Sequence, residues 1–218
     1  MKIGIDGRAA TWYQGTGIGT YTNQLIQSLN NVDSHNDYLI FMPQCNSLKP
    51  LKSNFRVELT DSASYNSFWD SVNVPNILNN TDMELYHVPQ NGVGLSENIK
   101  CKKVITLHDI IPLRMPETVS DRYLKIFNNE LPSILKSCDG IITVSNFSKN
   151  DIAKEFNFPL ENIYVTPLAA EDIYKPMSKC KSKDLIIKKY GIQEDFILYV
   201  GGFSPRKNIL GLIEAYSN

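Results

Sequence analysis

Lys103-Val104-Ile105-Thr106-Leu107-His108-Asp109-Ile110-Ile111-Pro112 is the stretch on which the fold turns. Up to Leu107, β-branched and apolar residues run without alternation, the pattern of a strand covered on both faces in a parallel sheet. The run stops at a His-Asp pair, and Pro112 cannot carry a ladder further. Open α/β sheets bind their ligands at the carboxyl ends of strands. An imidazole beside a carboxylate at such an end can give or take a proton, or hold a hydroxyl. The structural alternative is a histidine satisfied by a backbone carbonyl, with Asp109 capping the next turn. Position at a strand end favours the functional reading.

Outward from this stretch, strands and helices alternate. Lys2–Ile5 reads as a first strand ending in Asp6-Gly7-Arg8, followed by a loop with Trp12 and Tyr13. Gly15-Thr16-Gly17-Ile18-Gly19-Thr20 then opens a helix, since Ile18, Tyr21, Leu25, Ile26 and Leu29 recur at helical spacing. Tyr38–Met42 and Phe55–Leu59 read as strands, and Phe68, Val72 and Ile77 sketch a weaker helix interrupted by Pro75. Leu85–Val88 is a strand ending at Pro89-Gln90-Asn91-Gly92. Tyr123, Ile126, Phe127, Leu131, Ile134 and Leu135 mark a long helix that tolerates Pro132 with a kink. Ile141–Val144 is a strand, Ser145 the N-cap of a helix through Phe156, and Ile163–Thr166 one more strand. Such alternation predicts right-handed βαβ units and a Rossmann-like, doubly wound parallel α/β sheet.

After Pro167 the composition shifts. Between residues 175 and 189, Lys175, Lys179, Lys181, Lys183, Lys188 and Lys189 have only Asp184 as an acid among them, which suggests a basic, solvated connector with a short helix near Leu185–Tyr190. Peripheral contact with a membrane surface is one reading of this run; a wet face is the commoner one. Phe196–Val200 reads as another buried strand, followed by Gly201-Gly202-Phe203-Ser204-Pro205-Arg206-Lys207-Asn208. Ile209, Leu212, Ile213 and Tyr216 then begin an amphipathic helix. The expected organisation is a domain over residues 1–170, a connector over 171–194, and the first strand, loop and helix of a second domain over 195–218.

The chain of 218 residues has 42% hydrophobic residues and can bury a core, and its formal net charge of -1 argues against a nucleic-acid partner. No apolar run reaches the roughly 18 residues of a membrane span. The N-terminus begins a strand at once, without the pattern of a signal peptide. Cys45, Cys101, Cys138 and Cys180 lie far apart with no histidine at ligand spacing. That pattern predicts reduced thiols in a cytoplasmic protein rather than disulfides or a zinc site.

Three constellations could carry chemistry. Glycines at 15, 17 and 19 let backbone N–H groups approach a ligand, with a helix N-terminus behind them that favours an anion. They do not make a dinucleotide fingerprint: Thr20 stands where a third glycine would be, and the second strand ends without the acid that holds a ribose. His108 and Asp109 are joined at neighbouring strand ends by Asn91 and Ser145, residues that otherwise serve as a turn and a cap. Gly201-Gly202 precedes Arg206-Lys207, two cations that can clamp a diphosphate and that oppose the dipole of the following helix.

The sequence resembles family 4 of the retaining GT-B glycosyltransferases, particularly its mannosyltransferase-like members. The stretches that carry the resemblance are Ile3–Arg8, Gly17–Tyr21, Val104–Pro112, Ile142–Ser148, Val165–Ala169, Tyr199–Gly202 and Arg206–Asn208, in the family's order along the whole chain. The resemblance implies two Rossmann-like domains facing a cleft, an N-terminal one for the acceptor and a C-terminal one for most of a nucleotide sugar. It implies that Gly17, Gly19 and Gly202 approach the donor's phosphate and sugar, and that His108, with Asp109, acts on the transferred sugar. Arg206 and Lys207 would neutralise the leaving diphosphate without a metal or other cofactor. Asn91, Ser145, Trp12 and Tyr13 would line the side of a glycan or lipid-linked acceptor, at the cytoplasmic surface of a membrane. The family's pair of donor-domain glutamates has no counterpart before Asn218. The expectation is therefore an acceptor half with the start of a donor half, able to self-associate through its C-terminal segment and unable to transfer sugar alone. A non-catalytic Rossmann-like module that binds a sugar or a partner is the alternative from another class.

Overall fold

The computed structural model describes residues 1–43, 48–60, 79, 81–95 and 98–217. The helix sketched from Phe68, Val72 and Ile77, and Cys45, lie outside the described residues. By its internal contacts the chain divides into two units, Met1–Pro167 and Leu168–Asn218, so the connector and the C-terminal segment fall in one unit.

The first unit is built on seven parallel strands: β1 (Lys2–Asp6), β2 (Asp37–Met42), β3 (Phe55–Leu59), β4 (Leu85–Val88), β5 (Lys102–Thr106), β6 (Gly140–Thr143) and β7 (Ile163–Val165). Their order is β3-β2-β1-β4-β5-β6-β7, and every pairing is parallel. Winding outward from β1 to β3 on one side and from β4 to β7 on the other makes the β1–β4 boundary a topological switch point. There the connections leave in opposite directions and open a crevice at the carboxyl ends.

The interleaved helices are α1 (Arg8–Trp12), α2 (Gly17–Val32), α3 (Ile111–Arg114), α4 (Asp121–Ser137) and α5 (Asn146–Phe156). Both faces of the sheet are covered. Tyr38, Ile40 and Met42 of β2 join Ile5 of β1 and Ile26 of α2 in one cluster, while Phe41 joins Ile105, Phe127, Leu131 and Ile134 in another. Adjacent side chains of one strand thus enter different cores, as the period of two requires. Burying each such side chain contributes about 1.5–3 kcal/mol. Three helices carry hydroxyl N-caps: Thr16 Oγ accepts from Gly19 N, Ser120 from Tyr123 N, and Ser145 from Ser148 N.

Two expectations need correction. The segment with Trp12 and Tyr13 is a one-turn helix up to Trp12 rather than a loop, too short for periodicity to show. Phe196–Val200 forms no strand and is not buried: Phe196 is 48% and Val200 84% exposed. A strand must satisfy its backbone groups on a neighbour, and the second unit has none among its described residues. That unit instead holds α6 (Lys179–Tyr190), a 3-10 turn over Pro205–Lys207, and α7 (Ile209–Ser217). The first of these starts well before Leu185, because lysine is a good helix former and Lys188 and Lys189 suit its C-terminal end.

Candidate functional site

At the switch point, β1 ends in Asp6 and β4 runs into Pro89-Gln90-Asn91. Asp6 and Arg8 are both almost wholly buried. The Asp6 carboxylate accepts from Arg8 N at 3.1 Å and from Arg8 Nε at 2.8 Å, and Gln90 Nε2 donates to it at 2.6 Å across the strand boundary. The Arg8 guanidinium also lies 5.8 Å from the ring centroid of Trp12. A side chain at Gly94, whose φ is +89°, would run into that guanidinium. A buried charge is tolerable only when paired and hydrogen-bonded, and the cluster meets that condition while tying β1 to the turn after β4.

The next strand end carries His108. Its backbone N–H donates to Asn91 Oδ1 at 3.0 Å, and its Nε2 lies 3.2 Å from the carbonyl oxygen of Pro89. Asn91 sits at φ 56°, a left-handed conformation in which asparagine is well tolerated. From there its N–H reaches Thr106 O at 2.9 Å and its Nδ2 donates to Tyr123 Oη of α4 at 3.0 Å. The His108 ring packs edge-on against Tyr21 of α2, with centroids 4.6 Å apart. Tyr21 Oη is 3.3 Å from Thr106 Oγ1, which is also 2.8 Å from Nε2 of buried His87. Burial pushes the His87 imidazole down to about 4. Burial also lowers the His108 value, against the opposing pull of the Pro89 carbonyl and Asp109. Both rings are therefore neutral at pH 7.

The structure brings Asn91 and His108 together and separates the roles of the others. Asp109 Oδ1 accepts from Ile111 N at 3.0 Å, the cap of the following turn. Ser145 caps α5, accepting from Ser148 N at 3.0 Å. Asn91 spends both of its side-chain groups inside the fold. Gly17 is exposed with open space around it, whereas Gly19 is buried, and a Cβ there would collide with the carbonyl of Tyr13. Trp12 and Tyr13 are half-buried, Trp12 beside the Arg8 guanidinium. In the second unit, Arg206 and Lys207 are exposed on their 3-10 turn, and Gly202 O accepts from Tyr199 Oη at 2.8 Å.

Sequence reasoning missed Asp6, Arg8, His87, Gln90, Thr106, Tyr21 and Tyr123 as parts of this network. The available signal was an acid and a base two residues apart at a strand exit, with a lone histidine in an otherwise apolar strand. Among the described residues no helix is long and apolar enough to cross a membrane.

The family model for glycosyltransferase family 4 matches residues 15–170, and the chain belongs to that family. It is 35% identical over 115 residues to the O-antigen chain mannosyltransferase B of Escherichia coli, covering 53% of this chain and 30% of that protein. It is 34% identical over 112 residues to the O-antigen chain mannosyltransferase RfbU of Salmonella typhimurium, covering 51% and 28%. It is 25% identical over 125 residues to the serotype-specific mannosyltransferase WbdA of Escherichia coli, covering 56% and 15%. The matched stretch spans less than a third of the length of each of these relatives.

Proposed function

We propose that the chain serves retaining transfer of a hexose, mannose by preference, from a nucleotide sugar to a glycan or lipid-linked acceptor at the cytoplasmic face of a membrane. The observation that carries this reading is His108, a neutral imidazole held at the carboxyl end of β5, next to the switch point, by the turn that leaves β4. A family-4 match over this same unit and relatives named as mannosyltransferases support it. In this reading His108 holds a hydroxyl of the transferred sugar, Gly17 leaves room for the donor, and Trp12 and Tyr13 meet the acceptor. Arg206 and Lys207 take the charge of the departing diphosphate by charge-assisted hydrogen bonds, with no metal required.

A non-catalytic sugar-binding module is the second reading. It is favoured by Asp109, Asn91 and Ser145 all being engaged within the fold.

The two readings part in one experiment. Nucleoside diphosphates and nucleotide sugars are titrated by calorimetry against this chain and against a C-terminally extended form, and transfer to mannosylated acceptors is then assayed. Transfer by the extended form that disappears with His108→Ala supports the enzyme. Sugar binding without transfer in either form would leave the binding module standing.

A further inference from the structure

We propose that the Pro89–Asn91 turn is a positioning device that locks His108 in its Nε2–H tautomer, so that Nδ1 meets a ligand only as a hydrogen-bond acceptor. A carbonyl oxygen has no proton to give, so the 3.2 Å contact between Nε2 and Pro89 O requires the hydrogen on Nε2. Rotation of the ring is opposed by Tyr21, packed edge-on at 4.6 Å. The backbone beneath the ring is held twice, by the His108 N–H donating to Asn91 Oδ1 and by Thr143 Oγ1 donating to His108 O at 3.3 Å. Asn91 is braced in turn by Tyr123 and Thr106, so it acts on the ligand through His108 and touches none itself. Burial independently keeps the imidazole neutral, which leaves a lone pair on Nδ1.

The chemical consequence is a polarity. His108 accepts from a hydroxyl that donates, and it offers no proton to an oxygen that can only accept. This rests on the reading of His108 as a sugar contact, but its first test needs no sugar.

The chain has three histidines; 15N-histidine labelling with long-range proton–nitrogen correlation reports the tautomer of each, and His108→Ala assigns the third. The expected result is an unprotonated Nδ1 and a protonated Nε2 at neutral pH. Asn91→Gly keeps the left-handed backbone and removes both side-chain bonds, so His108 should move toward averaged nitrogen shifts. N91D, which keeps the oxygen that receives the His108 amide, should retain the single tautomer. The His87 signals report that the sheet is intact in each variant. A dominant Nδ1–H form, or a tautomer indifferent to Asn91→Gly, overturns the proposal. In a C-terminally extended form, nucleotide sugars with single hydroxyls replaced by fluorine keep an acceptor and lose a donor. One of them should lose roughly tenfold in kcat/KM, the scale of one hydrogen bond, and His108→Ala should erase that difference. Equal losses before and after the substitution overturn the acceptor role. Absence of any transfer would instead count against the proposed function while the tautomer measurement stands.

Discussion

Asp6 and Arg8 close a buried ion pair from positions two residues apart, with Arg8 Nε 2.8 Å from Asp6 Oδ1. The pair spans the exit of β1, and Gln90 from beyond β4 completes it. Removing the cation alone leaves a carboxylate in the interior. Arg8→Met should therefore cost roughly 3–5 kcal/mol of stability, the range for breaking a buried pair. Urea unfolding followed by circular dichroism measures it. A loss under about 1 kcal/mol would mean that water reaches Asp6, and the pair could not be the brace of the switch point.

Gly17 and Gly19 should respond in opposite ways to a single methyl. A Cβ at position 19 meets the Tyr13 carbonyl, whereas position 17 is open. Gly19→Ala is expected to destabilise by about 1–3 kcal/mol, as overpacking does. Gly17→Ala should leave the unfolding midpoint within about 1 kcal/mol of the parent, yet weaken nucleotide-sugar binding if ligand passes close there. Equal midpoints for the two variants would contradict the packing described.

His87 makes the fold sensitive to acid. Its folded value lies at about 4, below the ordinary 6.5, so the unfolded chain binds the extra proton in between. Stability from this group is fully present above about pH 6.5 and is lost as pH falls toward 4. The loss is on the order of 3 kcal/mol. Denaturant titrations across that window, repeated with His87→Gln, should show a shallower pH slope in the variant. Identical slopes would assign the acid sensitivity elsewhere.

His108→Ala in an extended, active form should slow transfer by roughly 10²-fold or more, the effect of losing a positioned polar group. Steady-state kinetics with saturating acceptor checks it, and unchanged rates would count against any role for the ring.

Arg206→Ala should weaken binding of nucleoside diphosphate by about 1.5–3 kcal/mol, one charge-assisted contact. Calorimetry on the extended form gives the answer. Equal affinities would mark Arg206 as an ordinary surface charge.

Much of the first unit was legible in the sequence because its signals are local. The buried run before His108, the helical spacing after Gly17 and the Ser145 hydroxyl before its helix depend on neighbours within a turn or a few strand residues. Those signals located β5, α2, the Ser145 cap and the strand end where His108 stands. They favoured a catalytic role for Asp109 over a capping one, and the bond it makes, from Ile111 N, is the capping one.

What tertiary structure alone decided involves partners far apart in the chain. Asp6 meets Gln90 84 residues later only because sheet order sets β1 beside β4. Asn91 becomes a bracket for His108, rather than a free turn residue, because β4 and β5 are neighbours and α4 carries Tyr123 over them. Gly19 is needed where α1 and α2 meet, a crossing that no spacing encodes. Phe196–Val200 has the composition of a buried strand and has no neighbouring strand among the described residues of its own unit, and a strand is completed only by its neighbour's hydrogen bonds. Periodicity in this sequence therefore marked the long helices and the strands of the first unit, while the order of the strands decided which side chains could meet and whether a strand-like segment became a strand.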